Sequence, residues 1–111
     1  MELHERTQDG VTVLEVAGRV DSVTAPDLNA RLSAILGAPK RRVLIDFRRL
    51  EYISSAGFRV LFLATKQAVE GGSRLALCAL SAKTHEIFSI AGFLKIFTIV
   101  PTREEGVAAL R

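Results

Sequence analysis

The stretch from Arg42 to Glu70 constrains the fold of this chain more than any other part of the sequence. It opens with the apolar run Val43–Ile45, which is too short for a helix and lacks the polar alternation of a strand with one solvated face. Such a run predicts a central strand covered on both faces. Asp46 follows where the strand is expected to surface, and after a short polar turn the segment Tyr52–Gly57 runs directly into a helix. The sequence therefore predicts a strand, a turn and then a helix.

Two hydroxyl groups, those of Ser54 and Ser55, lie in the predicted first turn of that helix. A helix N-terminus carries unpaired N–H groups and the positive end of the helix dipole. A serine there is a good cap, and a phosphate there is electrostatically favoured. The residues alone leave two interpretations open: a serine that only caps the helix, and a serine that also accepts a phosphate.

The opening segment predicts an antiparallel hairpin. Leu3–Arg6 is of mixed polarity, Asp9-Gly10 is a hairpin turn signal, and Val11–Ala17 is a β-branched strand. We expect the first of these strands to lie at an edge of the sheet, and the chain to leave the sheet at Gly18–Ser22.

Helices and strands then alternate along the chain. The order predicts an α/β fold in one domain, residues 1–111, with a mixed, mostly parallel central sheet, an antiparallel N-terminal edge strand and about four helices. After the hairpin, the sequence predicts a first helix, which Thr24 caps and Gly37 ends, and the helix after the serines, which Gly71 closes. The predicted elements that follow are a strand Arg74–Leu80, a helix from Ser81 to Gly92, a strand Ile96–Val100 and a last helix that starts at Pro101-Thr102.

The helix after the two serines has an unusually wide apolar face. Its apolar arc spans roughly 200°, whereas docking on a sheet needs a stripe of about 100°. Phe58 and Phe62 lie on the flank of this arc. Either neighbouring helices cover the excess, or it forms a partner surface beside the serines.

The composition is typical of a soluble globular protein. Hydrophobic residues make up 49% of the chain and charged residues 24%, as in soluble globular domains. Cys78 is the single cysteine, and no apolar stretch is long enough to span a bilayer, so we expect a soluble cytoplasmic protein without membrane contact. The net charge of +3 comes without aromatic platforms among the cations. That pattern favours a solvated basic surface, or an acidic protein partner, over direct nucleic-acid binding.

The sequence gives little indication of an enzyme active site or a metal site. There is no glycine-rich phosphate loop, His4 and His85 lack a second ligand nearby, and Ser55 does not lie in a GxSxG elbow. Asp46 ends a strand as a receiver-domain aspartate does, but a Mg²⁺ site requires further carboxylates, and the end of the second strand offers only Asp21. We therefore expect no catalytic residue, no metal and no cofactor.

Several motifs together resemble the STAS domain of bacterial anti-sigma factor antagonists. They are Gly18–Ala25, Val43–Phe47 and Tyr52–Leu61, and the tail Ala91–Glu105 is similar to the last strand and helix of that family. The resemblance covers nearly the whole chain in the right order. It implies a protein that is not an enzyme and that binds an anti-sigma factor, which is itself a serine kinase of the histidine-kinase-like ATPase fold. Phosphorylation by that kinase would switch the antagonist off, and a phosphatase of the PP2C type would reverse it.

The family motif Asp-Ser-Ser/Ala-Gly implies Ser55 as the phosphoacceptor. Ser54 stands where the family has aspartate, so it is an alternative acceptor. Some STAS domains carry no phosphoserine and serve as scaffolds in transport or lipid-trafficking complexes; the serine at position 55 argues against that role here. The residues implied to bind the partner are Asp21, Ser22, Thr24, Ser54, Ala56, Gly57, Phe58 and Phe62.

Overall fold

A six-stranded sheet forms the centre of the fold, and four helices pack on it. The computed structural model describes residues 1–111. Five strands lie in the spatial order β1-β2-β3-β5-β6, and β4 pairs with β2 beyond the end of β3. The elements are β1 Glu2–Gln8, β2 Val11–Val20, α1 Ala25–Ile35, β3 Arg42–Asp46, β4 Leu50–Ile53, α2 Ser55–Glu70, β5 Arg74–Cys78, α3 Ala82–Ile90, a 3₁₀ turn Phe93–Lys95, β6 Thr98–Val100 and α4 Arg103–Leu110.

The hairpin and the edge position of the first strand are confirmed. β1 pairs antiparallel with β2, with Gln8 opposite Val11. The two turn residues, Asp9 and Gly10, have φ values of 50° and 78°, which a primed hairpin turn requires. All other strand pairs are parallel.

The apolar strand β3 is interior, as predicted, and both of its faces are buried. Val43 and Ile45 belong to the larger core, which they share with α1, α2 and α3. Leu44 points to the other face, where it joins Val107 and Leu110 of α4 in a smaller core. The unbroken apolar run therefore reflects helices on both sides of the sheet.

Asp46 departs from the prediction, because it is buried and does not surface at the end of β3. Only 2% of it is exposed. The Nε of Arg103 donates to Asp46 Oδ2 at 2.8 Å, and the same guanidinium also binds the Glu15 carboxylate. The Arg48 N–H donates to Asp46 Oδ1 at 2.9 Å. A buried carboxylate is tolerated when it is paired and hydrogen-bonded in this way.

Several boundaries differ from the sequence expectation. β2 does not leave the sheet at Gly18: it continues to Val20 and pairs with β4, a strand that the sequence did not predict. The register shifts between Gly18 and Arg19, where Gly18 has a φ of +91°, and this irregularity redirects the strand. The other corrections are that β5 ends at Cys78 instead of Leu80, and that β6 begins at Thr98 instead of Ile96 because a 3₁₀ turn precedes it.

No helix of the structure combines the length and the apolar character that crossing a membrane requires.

Gly57 allows α2 to approach the sheet closely. A Cβ at this position would lie 2.5 Å from Ile53 Cγ1 and 2.9 Å from Val20 Cγ1, both of which are core atoms. We expect Gly57→Ala to lower the free energy of unfolding by about 1–3 kcal/mol through overpacking, despite the better helix propensity of alanine. Gly71→Ala is the matched control, because there the nearest atom lies at 3.4 Å. Urea unfolding measures both variants, and equal stability of Gly57→Ala and the wild type would contradict the packing argument.

The Cys78 thiol is expected to be inert in the folded protein. Burial, together with the nearby Asp46 carboxylate, raises the pKa of Cys78 from 9.0 to about 12. Because the thiolate is the reactive form and the thiol is buried, labelling by a chromogenic disulfide at pH 8 should be at least about 100-fold slower in the native protein than in guanidinium. The raised folded-state pKa also means that stability is lost as the pH rises from 9.0 towards 12. Equal native and denatured labelling rates would show that the thiol is accessible.

Candidate functional site

The start of α2 lies beside the end of β2 because β2 and β4 run parallel. Val20 is the register partner of Ile53, so the residues that follow these two strands emerge side by side. The Ser54 N–H donates to the Val20 carbonyl oxygen at 2.8 Å and fixes this arrangement. The pairing brings together two segments that the sequence separates by about thirty residues, the turn after β2 and the serines at the start of α2.

The turn Asp21–Thr24 is held by its own hydrogen bonds. Asp21 Oδ1 accepts from the N–H groups of Val23 and Thr24 at 3.0 and 3.1 Å. The bond from the Thr24 N–H is the main reason that the pKa of Asp21 lies below its ordinary value of 3.8. The predicted capping of α1 by the Thr24 hydroxyl is wrong, since Thr24 Oγ1 instead accepts from the Asp21 N–H and donates to the Arg19 carbonyl. The Thr24 hydroxyl therefore stabilises the turn and does not cap the helix.

The two serines at the start of α2 have different environments. Ser54 is the N-cap: its backbone is extended, and its Oγ accepts from the Gly57 N–H at 3.4 Å. Ser55 is the first helical residue and is exposed, whereas Ser54 is half-buried. The capping role thus belongs to Ser54, and the Ser55 hydroxyl is available at the positive end of the helix dipole.

The predicted partner-binding residues divide into surface and interior positions. Ser22 is exposed, and Ala56 is partly exposed beside the predicted phosphoacceptor Ser55. Gly57 is buried, and its missing side chain leaves room for Ile53. We therefore assign Gly57 to packing instead of to the partner surface.

Phe58 and Phe62 face an aromatic cluster. Phe58 lies 5.1 Å from Phe88, ring centre to ring centre, and Phe62 lies 4.9 Å from Phe93. Phe97 closes the cluster at 5.2 Å from Phe62. Both α2 rings remain half-buried. Neighbouring elements, α3 and the 3₁₀ turn, therefore cover part of the wide apolar arc, and partner contact by these rings stays a prediction.

A cleft of about 320 Å³ between α1 and α2 adjoins the serines, and the sequence did not single it out. Ser22 and Ala56 line it together with Arg59 and Leu63, whose side chains are exposed. Arg59 lies four residues after Ser55 and so shares its side of the helix. That spacing, a cation one turn after a helix-start serine, is the sequence signal from which the cleft could have been predicted.

Nothing at this site is arranged to hold a metal, since no three His, Cys, Asp or Glu side chains come together in the structure. The aspartate of the neighbouring turn is satisfied by backbone N–H groups, and Arg19 lies over the Tyr52 ring at 4.4 Å. The arrangement presents a small, neutral serine surface next to an open cleft, which suits binding.

The same architecture occurs in a crystal structure of an anti-sigma factor antagonist from Mycobacterium paratuberculosis. That structure superimposes with a TM-score of 0.86 at 25% sequence identity, and the match covers 99% of this chain and 93% of the other. The fold is thus the one found in a protein of the anti-sigma factor antagonist class.

Sequence comparison identifies the family. A model of the STAS domain matches residues 3–106, and this chain belongs to the STAS domain family. It is 42% identical to BtrV of Bordetella bronchiseptica, which is named for a proposed role as an anti-sigma factor antagonist; the match covers 93% of this chain and 89% of BtrV. It is 30% identical to the anti-sigma-B factor antagonist of Listeria monocytogenes, over 89% of this chain and 86% of that protein. The resemblance inferred from the motifs is confirmed.

The different roles of the two serines can be tested through stability. Ser54→Ala removes the cap and should lower the free energy of unfolding by about 0.5–1 kcal/mol, whereas Ser54→Asp, itself a good cap, should retain it. Ser55→Ala removes no cap and should leave stability within about 0.5 kcal/mol of the wild type. Urea unfolding of the three variants measures this. A larger loss in Ser55→Ala than in Ser54→Ala would reverse the assignment.

Proposed function

We propose that this protein is an anti-sigma factor antagonist that binds an anti-sigma factor through the surface around the start of α2. The relatives named for this role support the proposal. The structure adds a surface suited to close contact: the exposed Ser55 and the neighbouring cleft between α1 and α2 carry no acidic side chain among their lining residues. Binding there would displace the anti-sigma factor from its sigma factor.

We further propose that phosphorylation of Ser55 switches the antagonist off. This proposal rests on the different environments of the two serines at the helix start, where Ser54 makes the cap and Ser55 is exposed. Phosphorylation of the Ser55 hydroxyl adds about −1.5 to −2 charges, which the three terminal phosphate oxygens carry. The helix N-terminus stabilises that charge, so the fold survives it. Arg59, one turn along the same side, can pair with the phosphate within the protein.

Phosphorylation abolishes binding because the interface must then cover a hydrated dianion. The unmodified surface is small and neutral, which lets a partner approach α2 closely. Once phosphate is present, close approach requires its desolvation, and a loss of about 3 kcal/mol weakens binding more than 100-fold. The anti-sigma factor in this scheme is a serine kinase of the histidine-kinase-like ATPase fold, a PP2C-type phosphatase restores the active form, and all three work in the cytoplasm.

Ser54 is the less suitable acceptor. Its hydroxyl is half-buried and accepts a hydrogen bond from the Gly57 N–H, so it is less accessible to a kinase than the exposed Ser55 hydroxyl. We retain it as the alternative to be tested beside Ser55.

The test separates the switch from a scaffold role. Candidate anti-sigma kinases are incubated with the protein and ATP, the phosphate is mapped by mass spectrometry, and binding is measured by calorimetry. We expect phosphate on Ser55, wild-type affinity for Ser55→Ala, and an affinity loss of at least about tenfold for Ser55→Asp, because the carboxylate places charge at the contact. Ser89→Asp, an exposed serine on α3, is the control for added charge alone.

Other results would change the proposal in defined ways. Phosphate that persists in Ser55→Ala and disappears in Ser54→Ala moves the acceptor by one residue. Binding without phosphate on either serine supports a scaffold role of the kind found in transport or lipid-trafficking complexes, and overturns the switch.

A further inference from the structure

The amino ends of β3 and β5 carry a cluster of cations, far from the start of α2. Lys40, Arg41 and Arg42 are consecutive, and together with Thr7, Gly10 and Thr12 they line a cleft of about 290 Å³. Arg74 is adjacent, since it is the register partner of Arg42 on the neighbouring strand. The serines lie beyond the opposite, carboxyl ends of these strands, so this cleft is separate from the site described above.

The charges in this cluster are not neutralised within the protein. The ion pairs of the structure involve other cations: His4, Arg31, Arg49, Arg103 and Arg111. The acid closest in sequence to the cleft lining, Asp9, is engaged by Arg111 at 3.4 Å. Like charges on directly opposed strand positions, such as Arg42 and Arg74, are destabilising. Hydrogen bonds hold the guanidinium groups of Arg41 and Arg74, whereas the side chains of Lys40 and Arg42 have no partner in the protein, which indicates another use for their charges.

The backbone of the cluster is held in place. The Lys40 N–H donates to the Gly71 carbonyl at 2.9 Å, and the Arg41 N–H donates to Ser73 Oγ at 2.8 Å. The Arg41 guanidinium donates to Thr12 Oγ1 at 3.1 Å. Lys40 has a φ of +57°, a left-handed conformation that costs a lysine free energy that a glycine would not lose. Such a conformation persists only where the surrounding structure holds it, so the position of the Lys40 backbone is fixed.

We propose that this basic cleft is a second docking surface, which binds an acidic segment of a protein. No hydrophobic or aromatic residue lines the cleft, so it offers no platform on which a nucleic-acid base could stack. Lys40 lies in the turn before β3, Arg42 begins β3, and Arg74 begins the neighbouring β5, so the positive charges are distributed over a turn and two strands. Charges distributed in this way suit a row of carboxylates better than a single phosphate group.

The proposal does not depend on the serine switch, because the cleft lies at the other end of the sheet. A partner bound at the serines and an acidic segment bound at the cleft could occupy the protein together. The β3 strand that separates the two ends has five residues, about 16 Å.

Fluorescence anisotropy with labelled decaglutamate tests the proposal. We expect the wild type to bind this probe at low salt, and Lys40→Gln/Arg42→Gln to bind it about tenfold more weakly, since both side chains are exposed and no side-chain bond holds either of them. The matched control is Lys83→Gln/Lys95→Gln, which removes the same charge from exposed positions on α3 and the 3₁₀ turn and should change affinity less than twofold. Equal losses in the two double variants, or none in either, would overturn the proposal.

Two further binding measurements, with DNA and with inorganic phosphate, test which class of anion the cleft prefers. A DNA duplex of equal charge that binds more tightly than the peptide would make the cleft a nucleic-acid surface, against the proposal. Inorganic phosphate that displaces the peptide better than chloride at equal ionic strength would make it an oxyanion site, also against it. Should the double variant unfold, amide NMR of the wild type decides: peptide-induced shifts at Thr12, Arg41 and Ser73 support the assignment, and shifts confined to other regions overturn it.

Discussion

Burial of β3 on both faces is the constraint on which the rest of the structure depends. Val43 and Ile45 need cover from α1 and α2, and Leu44 needs cover from α4. A parallel strand of this kind cannot lie at an edge, so the chain must place neighbours on both sides and cross over with helices. β2 and β5 are those neighbours. The antiparallel β1 is then left at the edge, where its charged residues protect it from pairing with other chains.

The candidate functional surface follows from a second pairing, that of β2 with β4. The irregularity at Gly18 lets β2 continue to Val20, and the bond from the Ser54 N–H to the Val20 carbonyl attaches the start of α2 to its end. Gly57 then allows the helix to pack directly on this corner. The exposed Ser55 therefore begins a helix whose start is held to the sheet by a backbone hydrogen bond and by close packing. Under the proposed switch, a charge added there would alter the binding surface while the helix start stays in place.

Much of this fold could be predicted from the sequence because its signals are local. The apolar run Val43–Ile45 indicated an interior strand, and Asp9-Gly10 indicated a hairpin; both were correct. β4 was missed since Glu51 and Tyr52 are exposed and only Ile53 is buried, so no apolar pattern marks it. The burial of Asp46 was missed because its partner, Arg103, lies 57 residues away in the chain. The candidate site residues near the serines were predicted from their motif, whereas the proposed basic cleft required the register that places Arg42 beside Arg74.

Because the cap of α2 is a serine, the residue that caps the helix carries no charge. An aspartate at this position would cap the helix equally well but would leave a permanent negative charge next to Ser55. With serine, the cap is uncharged, and the unmodified corner has no anion of its own at the helix start. A phosphate on Ser55 would therefore be the only negative charge within the first turn of α2, with the Asp21 carboxylate in the neighbouring turn and Arg59 one turn along the helix. Salt would screen that added charge within about 10 Å.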